Sequence, residues 1–202
     1  PMVVGHAAPL SNAVRVAVKK DWAFVAENPA ESDGSKLLVY HTIDKTMPTF
    51  FAMLTMPPDV QDIAYPGGDF LFAVVGGLPA ENRMLLVVDV GDPEDPRIVG
   101  NFTDPSLYGA RFVESSADGN TVLVLSNTTE LLAVVDTFSK EKQKLINAFD
   151  GGAYSFTEPG GLALSGEYAF ITSMNTSSLA IEHAPGAEFA GNVDLPEPGA
   201  VA

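Results

Sequence analysis

A short apolar string returns four times at nearly constant spacing, and that periodicity limits what the chain can fold into more than any other feature. The copies are Leu37-Leu38-Val39-Tyr40-His41, Leu85-Leu86-Val87-Val88-Asp89, Leu132-Ala133-Val134-Val135-Asp136 and Leu179-Ala180-Ile181-Glu182-His183. Their last residues stand 48, 47 and 47 positions apart. A second string precedes each copy: Trp22-Ala23-Phe24-Val25, Phe70-Leu71-Phe72-Ala73, Val122-Leu123-Val124-Leu125 and Tyr168-Ala169-Phe170-Ile171. Each of these follows a turn signal, namely Lys19-Lys20-Asp21, Pro66-Gly67-Gly68, Asp118-Gly119-Asn120 and Ser165-Gly166-Glu167, residue types that tolerate tight or left-handed backbone. A period of this length marks one supersecondary unit, repeated so that each copy buries its faces on its neighbours.

Further apolar segments flank the two strings, so each unit holds four short β-branched or aromatic runs. In the second unit they predict strands near residues 59–65, 69–75, 84–90 and 97–102. Runs this short, bounded by Gly, Pro, Asn and Asp, suit strands, whereas a helix needs ten or more residues with a 3.6 period. No helix is predicted. Four strands at a period of 40 to 50 residues mark a β-propeller blade. The expected fold is therefore all-β: a β-propeller, or a segment of one, forming a single region over 1–202 with blades near 11–56, 57–104, 105–150 and 154–195. Pro1-Met2-Val3-Val4-Gly5-His6 lines up with Pro96-Arg97-Ile98-Val99-Gly100-Asn101, so residues 1–10 read as the last strand of a preceding blade. Glu197-Pro198-Gly199-Ala200 mirrors Glu158-Pro159-Gly160-Gly161, so 196–202 read as the first strand of a following one. An excerpt from a longer propeller is the expectation, with a four-blade ring as the alternative.

The second unit, Leu85 through Asp89 followed by Asp92-Pro93, Pro96 and Ile98-Val99-Gly100, resembles the LVIVD repeat: an apolar strand, Asp, a turn with Asp-Pro and a second Pro, then a strand ending in Val-Gly. The third, from Ser116-Ala117-Asp118-Gly119-Asn120 to Val134-Val135-Asp136, looks like the YVTN repeat of surface-layer-type propellers. The first and fourth units depart from both, carrying Tyr40-His41 and Glu182-His183 where the pattern has Val-Asp. The resemblance implies a secreted, periplasmic or cell-surface bacterial or archaeal protein, a class usually without an assigned activity.

With 26 Asp+Glu against 11 Lys+Arg, the net charge is −15. That argues against nucleic-acid binding, which draws its affinity from clustered Lys and Arg. The absence of Cys removes thiolate nucleophiles, disulfides and Cys-ligated metals. The longest nearly uninterrupted apolar run, residues 70–80, contains glycine and proline and falls short of the roughly 20 residues of a transmembrane helix. No nucleophile elbow, zinc-binding H-E-x-x-H, P-loop or dinucleotide fingerprint is present.

His41, Asp89, Asp136 and His183 share one repeat position, but third strands of different blades stand too far apart for ligands that must converge to about 2 Å from one ion. Asx-type hydrogen bonds into the following turn explain the aspartates better. Asp118-Gly119-Asn120 reads as a hairpin turn, and His6 as a surface residue. Loops joining second to third strands share a face with the connections between blades, which is where binding is expected. There Glu27, Asn28, Asn127 and Asn175 are hard oxygen donors suited to Ca²⁺, against the competing reading of a solvated acidic rim; no cofactor is otherwise predicted. Sequons at Asn101, Asn127 and Asn175 fit glycosylation of an exported protein, although motifs this short also recur by chance. The aromatics Trp22, Phe24, Phe70, Phe72, Tyr168 and Phe170 are expected to pack between blades.

These readings favour a non-catalytic exported or cell-surface scaffold that binds protein or polysaccharide through the loop face, with association through exposed blade faces. One alternative is a propeller enzyme with its site over the central channel, a calcium-assisted hydrolase or a quinoprotein-like dehydrogenase. The other is a structural module of a surface layer or adhesin.

Overall fold

Among the described residues, short apolar runs alternating with turn-forming clusters fold as sixteen β-strands. The computed structural model describes residues 12–30, 34–76, 83–151, 156–175, 178–183 and, for the backbone alone, 188–194. The flanking segments 1–10 and 196–202, with His6, lie outside the described residues. The strands are β1 (Ala13–Lys19), β2 (Trp22–Glu27), β3 (Ser35–His41), β4 (Thr49–Met56), β5 (Val60–Ala64), β6 (Phe70–Val75), β7 (Met84–Asp89), β8 (Arg97–Phe102), β9 (Ala110–Ser115), β10 (Thr121–Ser126), β11 (Leu131–Asp136), β12 (Lys144–Asp150), β13 (Pro159–Ser165), β14 (Tyr168–Ser173), β15 (Ser178–His183) and β16 (Glu188–Asp194). A 3-10 turn, Pro105–Leu107, is capped by Asp104, whose carboxylate accepts from the Ser106 N–H.

Consecutive strands pair antiparallel in four four-stranded sheets, β1–β4, β5–β8, β9–β12 and β13–β16. First strands pack side by side, β1 on β5, β5 on β9 and β9 on β13, so the sheets radiate from a common inner edge. This is the β-propeller arrangement, with each sheet a blade and each first strand facing the axis. Because successive side chains point to opposite faces of a strand, β6 serves both neighbours. Leu71, Ala73 and Val75 pack with Phe24, Leu37 and Val39 of the first blade. Phe72 and Val74 pack with Val122 and Val124 of the third. Leu123, Leu125, Leu132 and Val134 continue the stack onto Ala169, Ile171 and Ala180 of the fourth. Central strands buried on both faces read as continuous apolar runs, which is why the repeat stood out in the sequence.

Pairing corrects the repeat alignment at one point. Trp22 pairs with His41, Phe70 with Asp89, Tyr168 with His183, and Thr121 with Asp136. The third unit's string therefore starts at Thr121, one residue before the predicted Val122. The shift matters because parity decides which neighbour a side chain meets: with it, Leu123 takes the place of Phe24 and Phe72, all three turned toward the next blade. Inter-blade packing holds for Phe24 and Phe72, both fully buried. Tyr168, at a strand start on the rim, stays 46% exposed, and Trp22 packs against His41 in a tilted contact, 4.7 Å between ring centroids.

Irregularities repeat as faithfully as strands do. Third and fourth strands slip register after Val39, Val87, Val134 and Ile181, one equivalent site per blade; such bulges add twist to a sheet. The residue after each second strand donates its N–H to the residue before the first, Asn28 to Asn12, Gly76 to Asp59, Asn127 to Gly109 and Met174 to Glu158. Three of those acceptors, Asp59, Gly109 and Glu158, have φ of 69°, 74° and 47°, a left-handed turn into the inner strand.

Candidate functional site

Each first strand carries a second equivalent bulge, at its entry. Pairing with the second strand skips Val14 in β1, Gln61 in β5, Arg111 in β9 and Gly160 in β13. A bulge leaves its extra residue unpaired and re-aims the side chain, and here it does so at the inner edge of the blades. Val14, Gln61 and Arg111, with Asn12, Asn28 and Asp59, line a polar pocket of about 390 Å³ at the mouth of the axis. The Arg111 guanidinium donates to Gln61 Oε1, and Gln61 Nε2 donates to the Asp59 carboxylate at 2.6 Å. Arg111 has no carboxylate partner among the described residues.

Farther along the axis, Arg15 and Asp62, the residues that follow the bulges of adjacent blades, form an ion pair at 3.4 Å. Asp62 is buried and ties three blades together. Its Oδ1 accepts from the Ile63 N–H at 2.9 Å and its Oδ2 from the Val113 N–H of β9 at 3.1 Å. Burial lifts its carboxyl above the ordinary range, and the Val113 N–H and Arg15 oppose that shift. Arg15 also reaches Glu114 of β9 at 3.9 Å. The Glu114 carboxyl is raised by burial as well, lowered by Arg15 and raised again by Asp62.

The residues proposed from the sequence scatter around this site. Asn28 does line the mouth, but as a clasp between blades: its Nδ2 donates to the Val60 carbonyl at 2.8 Å, and its Oδ1 accepts from the Val60 N–H at 3.1 Å and from Ser35 Oγ. Glu27 is buried at the end of β2. Asn127 and Asn175 are exposed on loops of the third and fourth blades, as is Asn101 on β8, and none of Glu27, Asn127 and Asn175 lines the mouth. Among the described residues no three His, Asp or Glu side chains converge as a metal site. Asp89 and Asp136 make the Asx-type bonds expected of them, accepting from the Gly91 and Phe138 N–H groups at 2.8 and 2.9 Å. The 118–120 hairpin likewise closes with Gly119 at φ 65°.

Sequence reasoning missed Arg15, Gln61, Asp62, Arg111 and Glu114 because the first strands have no recurring string. The available signal was positional: a bulge opens each of these strands, after a left-handed residue in β5 and β9.

The geometry defines the chain as a β-propeller fold with a polar axial mouth. No protein-family model matches the sequence, and no curated protein matches it. Among solved structures the chain is similar to a protein of unknown function from Desulfotomaculum acetoxidans, at 16% identity over 96% of this chain and 61% of that one, with a TM-score of 0.76. It is similar to the periplasmic gluconolactonase of Pseudomonas aeruginosa at 15% identity, over 89% of this chain and 53% of that one, TM-score 0.68. The Cps50 (Swd1) β-propeller domain of Myceliophteria thermophila matches at 9% identity, over 94% and 57%, TM-score 0.66. The chain thus spans between half and two thirds of these structures' lengths. No described helix is long and apolar enough to cross a membrane.

Proposed function

We propose that this chain is the ligand-binding portion of a non-catalytic, exported or cell-surface β-propeller of the LVIVD/YVTN type, and that it takes an oligosaccharide or the end of a polysaccharide at the axial mouth. One observation carries this: the mouth brings Asp59, Gln61 and Arg111 together as adjoining acceptors and donors. Dense mixed polar groups in a pocket of this size match the alternating donors and acceptors of sugar hydroxyls. The net charge of −15 works against polyanions at long range, so a neutral or sparsely charged glycan fits best.

The repeat also argues for further blades. Phe170, Leu179 and Ile181 stand where their counterparts in earlier blades are fully buried, yet they are only partly covered. An apolar sheet face of that kind is completed by a neighbouring blade.

A glycan array probed with this chain tests the reading, with Arg111→Met and Gln61→Ala alongside. Glycan binding that both substitutions weaken is the expected result. No glycan binding, or binding indifferent to both, overturns it.

A second reading, hydrolysis of a sugar lactone, rests on the pairing of two acids with raised pKa, Asp62 and Glu114, beside Arg15 on the axis. One neighbour is named a gluconolactonase. Glucono-δ-lactone hydrolysis faster than in buffer, and slowed by Glu114→Gln, would establish it. A rate equal to that of buffer would remove it.

A further inference from the structure

Of the four arginines of this acidic chain, Arg15 and Arg111 stand on inner strands and Arg97 pairs with Asp95. Arg83 differs from all the others. It immediately precedes β7 at the seam between the second and third blades, and its guanidinium lies over the Tyr108 ring, 3.5 Å from the centroid. Among the described residues it makes no hydrogen bond and no ion pair, and its buried Nε has no acceptor. An unpaired buried donor on a charged group costs more than an ordinary missing hydrogen bond.

Beside it runs a groove of about 500 Å³, lined by Arg83, Thr103, Asp104, Pro105, Tyr108 and Thr129. The one carboxylate among the described lining residues, Asp104, is committed to the Ser106 N–H and Oγ at 2.9 and 2.7 Å. Thr129 Oγ1 is turned to the Tyr108 carbonyl at 3.3 Å. Among the described residues, no wall of the groove supplies the acceptor that Arg83 Nε lacks.

We infer that this groove is a binding site for a small organic monocarboxylate, held by the Arg83 fork with its body against Tyr108 and Pro105. Guanidinium and carboxylate match as a planar, two-point pair, and the Tyr108 stack holds the fork in place before the ligand arrives. A groove of this size admits a ligand of sugar-acid or aromatic-acid dimensions, and a single negative charge avoids the repulsion that the rest of the surface imposes on polyanions. The inference rests on the reading of this face as the ligand face.

The test is an amide-resolved NMR titration of the whole chain with galacturonate and benzoate, each beside its neutral counterpart, galactose and benzamide. Expected are saturable shifts at Thr103–Tyr108 with the acids only, weakened about tenfold or more by Arg83→Met and less by Arg83→Lys, which keeps the charge without the fork. A thermal melt of Arg83→Met matching that of the parent shows that the loss is not unfolding. If Arg83→Met melts early, Arg83→Lys decides alone, and binding as strong as the parent's overturns the proposal. Equal response to acid and neutral probe, no response to either acid, or shifts confined to Arg111 also overturn it. Glycan binding at Arg111 with a silent groove removes this site and leaves the face reading standing, whereas acid binding here without any glycan binding does the reverse.

Discussion

Arg111 donates to Gln61 across the seam between two blades, and the two are the same residue of the repeat, the bulged position at the entry to the innermost strand. One local defect, copied from blade to blade, thus supplies both partners of a contact between blades and lines the axial mouth with them. The following pair of equivalent residues, Arg15 and Asp62, meets in the same way.

Asp62 is the most connected side chain on the axis, so its removal is expected to loosen three blades at once. Asp62→Ala leaves the buried Val113 N–H without its acceptor and Arg15 without its partner, an expected loss of about 2–4 kcal/mol. Urea denaturation measures it. A change under about 0.5 kcal/mol would mean that the axis is held by apolar packing alone.

Glu182 gives the protein an unusual pH dependence. It is fully buried in β15 and neither carboxylate oxygen has a hydrogen-bond partner among the described residues; burial lifts its pKa to about 7. Between the ordinary carboxyl range and that value the folded state holds a proton that the unfolded state releases. Its contribution to stability is therefore present at acid pH, falls as pH rises toward 7, and levels off above, a loss of about 3 kcal/mol. Glu182→Gln should flatten that slope and leave the protein more stable than its parent at pH 8. Equal slopes in the two proteins would show that Glu182 does not titrate in this window.

Left-handed entries to the inner strands make opposite predictions for two residues. At Gly109, φ is 74° and an added Cβ would fall 2.3 Å from the Thr128 side chain, so Gly109→Ala should cost about 2 kcal/mol or more. At Glu158, φ is 47°, and Glu158→Gly should stabilise by up to about 1 kcal/mol by relieving that backbone. Its N–H still donates to Glu130 Oε1 at 3.0 Å, since residue 158 contributes only its backbone to that bond. Thermal melts of both variants against the parent decide, and a rise for Gly109→Ala would contradict the geometry.

Phe72 is fully buried where the second blade meets the third. Phe72→Ala is expected to cost about 3–5 kcal/mol. Chemical denaturation read by the single Trp22 and by far-ultraviolet circular dichroism would show whether the blades unfold together. Transitions that separate would show that the seam is a boundary between cooperative units.

How much of this was legible in the amino-acid order follows from the period of each signal. Central strands are apolar on both faces, so Leu85 to Val88 and Leu132 to Val135 announced themselves, and with them the four-stranded blade. Short turns were equally plain, since Gly119 and the Asx bonds of Asp89 and Asp136 act within two or three residues of themselves. The one-residue error at Val122 arose where string similarity competed with hairpin pairing, and only the pairing of Thr121 with Asp136 resolved it. The axial site was hidden for a different reason. Arg15, Asp62 and Glu114 lie on three first strands roughly 50 residues apart in sequence, and nothing local to any one of them marks it as a partner of the others. Repetition along the chain determined that blades would form and stack; which polar side chains meet on the axis was decided by tertiary structure, because bulge, twist and blade angle together set where each inner strand points.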